Sequence, residues 1–137
     1  MDEDQEFYLS MEEQTRLISR CETMLQNNEE SYFDVFEFSE IIDYYIEDSK
    51  LNKAYKVLQI ALKQHPGNLE IEFRKAKIYI ERNDADAAIE IIKKLIKIED
   101  NNPDYYILLG ISYAIKADFE NAVVNFDKAM FLDPEEI

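Results

Sequence analysis

At 137 residues, 47% of them apolar, the chain is long enough to bury one continuous core without disulfide or metal staples. Two glycines and three prolines are too few to punctuate the turns of a β-sandwich or barrel, so the composition favours helices. A formal net charge of -15 repels phosphates and anionic headgroups, which argues against nucleic acid or a membrane surface as partner. The single cysteine, Cys21, has no intramolecular partner, and Met1-Asp2-Glu3-Asp4 lacks the basic and apolar regions of a secretory signal. No uninterrupted apolar run approaches the roughly 18–20 residues that cross a bilayer. The expected setting is reducing and cytoplasmic.

Residues 1–9 read as a disordered acidic leader in which Phe7, Tyr8 and Leu9 are available to staple onto the following helix. Ser10 and Glu13 make a capping box, and Leu17, Ile18, Cys21, Met24 and Leu25 share one face behind it. The segment 10–33 is therefore assigned to an amphipathic helix that caps the domain following it at 34–137. Acidity is concentrated at this end: residues 1–34 carry ten acids against Arg16 and Arg20, whereas residues 69–102 are nearly balanced.

From Val35 onward the sequence repeats with a period of 34. Val35, Leu69 and Pro103 open three ungapped blocks, 35–68, 69–102 and 103–137. The eighth positions are Ile42, Ala76 and Gly110; the eleventh are Tyr45, Tyr79 and Tyr113; the twentieth are Ala54, Ala88 and Ala122. The twenty-fourth are Leu58, Ile92 and Phe126, and the twenty-seventh are Ala61, Leu95 and Ala129. Each block splits into two apolar-periodic segments about a dozen residues long around a short polar turn, which is helix, turn, helix. Asp34 with Glu37 forms a capping box for the first of these, His65-Pro66-Gly67-Asn68 breaks the chain between blocks, and Asn102-Pro103 supplies an N-cap followed by proline at the first helical position. Seven helices and no strand are predicted.

These markers resemble the tetratricopeptide repeat family. The third block carries the likeness best, with Tyr106, Leu109-Gly110, Tyr113, Ala122, Phe126, Ala129 and Pro134, while the second departs at Glu72 and Leu95. The resemblance implies an all-α, right-handed solenoid of three helical hairpins that holds other proteins or peptides and performs no chemistry. It also implies that positions 2, 5, 9 and 12 line the concave face: Phe36, Ser39, Asp43 and Ile46; Glu70, Phe73, Lys77 and Ile80; Asp104, Ile107, Ile111 and Ala114. Phe73, Ile107 and Ile111 are expected to form an exposed apolar stripe flanked by a basic spot, Arg74 and Lys77. Relatives that clamp acidic chaperone tails use basic and amide residues where this chain has Ser39, Asp43, Arg74, Asp104 and Leu108, so an amphipathic helix or an extended apolar segment is the better match.

No catalytic constellation or cofactor motif emerges. His65 sits before Pro66 in an inter-block turn without a partnered nucleophile, and Cys21 lies on an apolar helix face. Asp100, Asn102 and Asp104 alternate as in a calcium loop, but Tyr105 stands where the sharp-turn glycine belongs and Ile111 where the bidentate glutamate belongs. One surface feature remains. At positions 22 and 29 the first two blocks have Lys56 and Lys63, then Glu90 and Lys97, whereas the third has Val124 and Phe131 beside Val123 and Met130. That edge is expected to bury itself against a second copy, giving a homo-oligomer, or against a continuation of the repeats.

Overall fold

The computed structural model describes residues 9–135, and among them are seven helices and no strand. They run α1 (Met11–Asn27), α2 (Val35–Glu47), α3 (Leu51–Gln64), α4 (Leu69–Glu81), α5 (Ala85–Ile98), α6 (Pro103–Ile115) and α7 (Phe119–Leu132). The pairs α2–α3, α4–α5 and α6–α7 are antiparallel hairpins, one to each block.

The termini form where the capping residues place them. Asp34 Oδ1 accepts from Glu37 N at 2.7 Å while Glu37 Oε1 accepts from Asp34 N at 3.0 Å, closing the box in both directions. At α1 the forward half is present, with Ser10 Oγ accepting from Glu13 N at 3.1 Å. Asn102 Oδ1 accepts from Asp104 N at 3.0 Å, with Pro103 at the first helical position. Each hairpin then turns the same way. Ser49, Asn83 and Ala117, all at position 15, adopt left-handed φ of 57°, 63° and 60°. The residue after each, Lys50, Asp84 and Asp118, donates its N–H back to the carbonyl of Tyr45, Tyr79 or Tyr113 at 2.8, 2.8 and 2.9 Å. These bonds satisfy carbonyls that the helix end would leave open.

α1 fills 17 residues of the segment 10–33. Asn28 closes it in a left-handed C-cap at φ 53°, a conformation that asparagine tolerates. The strap that follows is pinned to the end of α3. Gln64 Nε2 donates to Ser31 O at 2.8 Å, Phe33 N donates to Gln64 Oε1 at 3.2 Å, and His65 Nε2 lies 2.8 Å from Phe33 O. Phe33 is fully buried there, its ring 5.4 Å from that of Phe38 and under the Arg20 guanidinium at 4.7 Å. The lone histidine thus holds the strap in addition to lying in the turn. Leu9 packs half-buried on the same core, while Phe7 and Tyr8 and the rest of the leader lie outside the described residues.

Leu17, Cys21 and Met24 of α1 enter one cluster with Phe38, Ile41, Ile42 and Tyr45 of α2 and Ala54, Val57, Leu58 and Ala61 of α3. A polar knot ties the three helices together above it: Tyr45 Oη donates to Glu22 Oε1 at 2.6 Å, and Lys53 Nζ bonds both Glu22 oxygens at 3.0 and 3.1 Å. The Tyr45 hydroxyl bond leads the causes that hold the Glu22 carboxyl below its usual range. A second cluster joins Ala76, Ala88, Ile89, Ile92 and Leu95 to Tyr105 and Leu109 of the third hairpin.

Candidate functional site

The backbones of the first helices of successive hairpins approach closely, α2 to α4 and α4 to α6, whereas among the described residues the backbones of the second helices α3, α5 and α7 stand farther apart. Spacing is tighter along the first-helix row, so the stack curves with that row on its inner side. The residues assigned to the concave face by their repeat positions all lie on these first helices.

They do not form one uniform groove. Between α2 and α4, both cations reach across to a single acid: Arg74 Nη2 lies 3.1 Å from Asp43 Oδ2 and Lys77 Nζ 2.8 Å from Asp43 Oδ1. Arg74 Nη1 also bonds Glu70 Oε2 at 2.7 Å. The Arg74 side chain is only 14% exposed, and Glu40 beside it is held above its usual range by burial and by the nearby Asp43 carboxylate. The expected basic spot is thus already neutralised by Asp43 and Glu70, with Glu40 leaving the local surplus acidic.

Between α4 and α6 the surface turns apolar. Phe73 lays its ring 5.6 Å from that of Tyr105 and is half-buried, with the Arg74 and Lys77 cations each 5.9 Å from its centroid. Phe73 is consequently less open than an exposed stripe requires, because Tyr105 at position 3 of the next block reaches back beneath it. Ile107 is half-buried and Ile111 is 37% exposed. Glu70 and Asp104 are exposed at the helix starts. Ser39 is buried, so it offers almost no surface to a ligand. The tyrosine under Phe73 carries no separate signal in the sequence, where it reads as a core residue.

The other candidate surface is α7. Val123, Val124, Met130 and Phe131 are all exposed, Phe131 at 80%, and Lys128 Nζ lies 5.9 Å above the Phe131 ring. Phe119 joins them at 66%. It escapes a reading of the sequence because its block position, 17, is apolar in every block (Leu51, Ala85, Phe119) and so looks like ordinary core.

No helix among the described residues is long and apolar enough to cross a membrane. Comparison with known structures finds the same architecture in MamA from strain MSR-1, at a TM-score of 0.67 and 19% identity over 90% of this chain and 70% of that one. MamA 41-end from Desulfovibrio magneticus RS-1 aligns at a TM-score of 0.67 and 17% identity, over 90% of this chain and 68% of that one. The thermophilic TPR protein TTC0263 of Thermus thermophilus aligns at a TM-score of 0.67 and 18% identity over 86% of this chain, which spans 64% of its length. At these identities the likeness is one of fold. A comparison with curated protein sequences finds no match. Two family models do match, both described as tetratricopeptide repeat, one over residues 45–110 and one over residues 103–136. With its 34-residue period, three hairpins of one geometry and these two matches, the chain belongs to the tetratricopeptide repeat family.

Proposed function

We propose that this repeat protein is an interaction scaffold that seats an amphipathic helix or an extended apolar segment along the α4–α6 half of its groove. The observation that carries this reading is the seam where Phe73 rests on Tyr105 while Ile111 stays open beside it. A side chain laid over that seam would gain apolar contact without displacing a buried polar group. The α2–α4 half is a poorer seat, since occupying it would strip water from the Asp43–Arg74–Lys77 cluster. Exposed Glu70 and Asp104 and the half-buried Glu40 favour a segment that carries positive charge at its edges.

The test is a selection from displayed random peptides, with a selected peptide then titrated against variants of the chain. Ile111→Asp places a charge on the seam at a side chain that is already partly open, so it should weaken binding by about tenfold or more while leaving the fold intact. Val124→Lys with Phe131→Lys should leave that binding unchanged. The opposite pattern, with loss at the edge and none at Ile111, sinks the groove reading.

A second reading, an assembly module that forms homo-oligomers through the C-terminal edge, is favoured by the exposed apolar side chains of α7. It requires sedimentation that depends on concentration and is abolished by that same edge pair of substitutions.

A further inference from the structure

The two rows of helices carry opposite charge. On the first helices, α2, α4 and α6, eight acids stand against the three bases Arg74, Lys75 and Lys77. The second helices, α3, α5 and α7, reverse the balance with seven lysines against four acids. The inner row of the curved stack is thus acidic and the outer row basic, although the chain as a whole carries a net charge of -15. Positions 22 and 29 lie on the outer row. Lys56, Lys63, Glu90 and Lys97 hold them in the first two blocks and are exposed there with the next hairpin in place, so Val124 and Phe131, at the same positions of α7, are open by their place in the repeat. Lys128 lies between them on one stripe, its Nζ 5.9 Å from the Phe131 ring centroid. Spacing matches the seam as well. Val124 and Phe131 are seven residues apart, about 10 Å along the helix, as are Phe73 and Ile80 on α4 and Ile107 and Ala114 on α6, the two walls of the seam.

We infer that the occupant of the α4–α6 seam is the Val124, Lys128 and Phe131 face of α7 in a second copy of this chain, the outer row of one copy seated on the inner row of the next. This rests on the groove reading above and names its partner. The face supplies what the seam favours: a folded amphipathic helix with exposed apolar side chains and a cation among them. Charge opposes the symmetric alternatives. Pairing two α7 faces across a two-fold axis would set Lys128, Lys94 and Lys97 of one copy facing the same lysines of the other, and pairing two grooves would do so with the acids of the first helices. Outer-to-inner pairing instead brings Lys128 towards exposed Glu70 and Asp104 at the rim of the seam. Because the two surfaces differ, each copy in a pair leaves one seam and one face unused, and assembly propagates in a single direction.

The test is sedimentation velocity across a range of concentrations on the wild-type chain, on Ile111→Asp, which spoils the seam, and on Val124→Lys with Phe131→Lys, which spoils the face. The wild type should grow in size with concentration, and each variant alone should stay monomeric with its thermal midpoint kept. An equimolar mixture of the two variants should form a heterodimer that grows no further, since one brings an intact face and the other an intact seam. If either variant loses its midpoint, Ile111→Ser and Lys128→Glu make the same pair of single-surface changes. A wild type that stays monomeric overturns the inference. Assembly that survives Ile111→Asp, or folded variants that stay monomeric when mixed, overturns it too, because the α7 face then pairs with its own kind. The groove reading fails separately. A selected peptide that binds Ile111→Asp as well as the wild type ends both, whereas a peptide lost on Ile111→Asp beside a monomeric wild type leaves the groove and removes only the second copy as its occupant.

Discussion

Replacing Gly110 by alanine tests the packing of the hairpin that carries both candidate surfaces. A Cβ at that position would lie 2.6, 2.8 and 2.9 Å from Cε1, Cδ1 and Cζ of Phe126, far inside the roughly 3.5–4.0 Å at which carbon atoms attract. Overpacking of this kind costs about 1–3 kcal/mol, while alanine in place of glycine within a helix returns about 1 kcal/mol. Gly110→Ala should therefore lower stability by roughly 0–2 kcal/mol. The sharper expectation lies in the sign. With Phe126→Ala in the background the clash is gone, and Gly110→Ala should now stabilise by up to about 1 kcal/mol. Urea unfolding followed by circular dichroism on the four chains of this double-mutant cycle measures the difference. If Gly110→Ala destabilises equally with and without the Phe126 ring, close helix approach is not the reason for glycine at this position.

Two further predictions concern the capped end. Phe33→Ala empties a fully buried site and should cost about 3–5 kcal/mol, with exchange rising first in α1 because the strap that docks it is released; uniform loosening of all three hairpins would refute the strap's role. Burial pushes the Cys21 thiol up from 9.0 to about 11, so the unfolded chain ionises first and stability, complete below the lower value, should fall as pH rises through the upper one. Denaturant midpoints across that window should fall less steeply for Cys21→Ala, with part of the slope retained because burial and the Glu22 bond also raise the Tyr45 hydroxyl. An equal slope in both chains would mean that Cys21 does not titrate differently on folding.

The scaffold is legible in the sequence because its determinants recur. A side chain repeated every 34 residues meets nearly the same neighbours each time, so apolar identity at positions 8, 11, 20 and 24 is enough to name the hairpin. Departures from recurrence are harder to read. Asn28 ends α1 through a single left-handed residue, and the strap's bonds from Gln64 and His65 to Ser31 and Phe33 join irregular backbone to a helix end about thirty residues away, with no period to expose them. Phe119 misleads in the opposite sense: a recurring apolar position reads as covered, although what covers it in the inner blocks is the hairpin that follows.

The charges of the groove show how the same period settles side-chain pairing. Arg74 and Lys77 read as a basic spot when each helix is considered alone, where the near acids are Glu70, four residues before Arg74, and Glu81, four residues after Lys77. Yet Asp43 and Lys77 both occupy position 9 of consecutive blocks, and equal positions on neighbouring first helices stand side by side, as their 2.8 Å contact shows. The rung continues to Ile111, position 9 of the third block, which has no charge to meet Lys77 from the other side. Opposite charges on adjacent rungs satisfy each other and withdraw from ligand binding, whereas an apolar rung beside a paired one keeps its exposed area available. On the proposed groove reading, the change from Asp43 and Lys77 to Ile111 marks where the face of the first helices passes from cross-paired charges, with the buried Arg74 Nε still lacking a partner, to an apolar surface open to a bound segment, and it falls on the α4–α6 seam occupied by Phe73 and Tyr105.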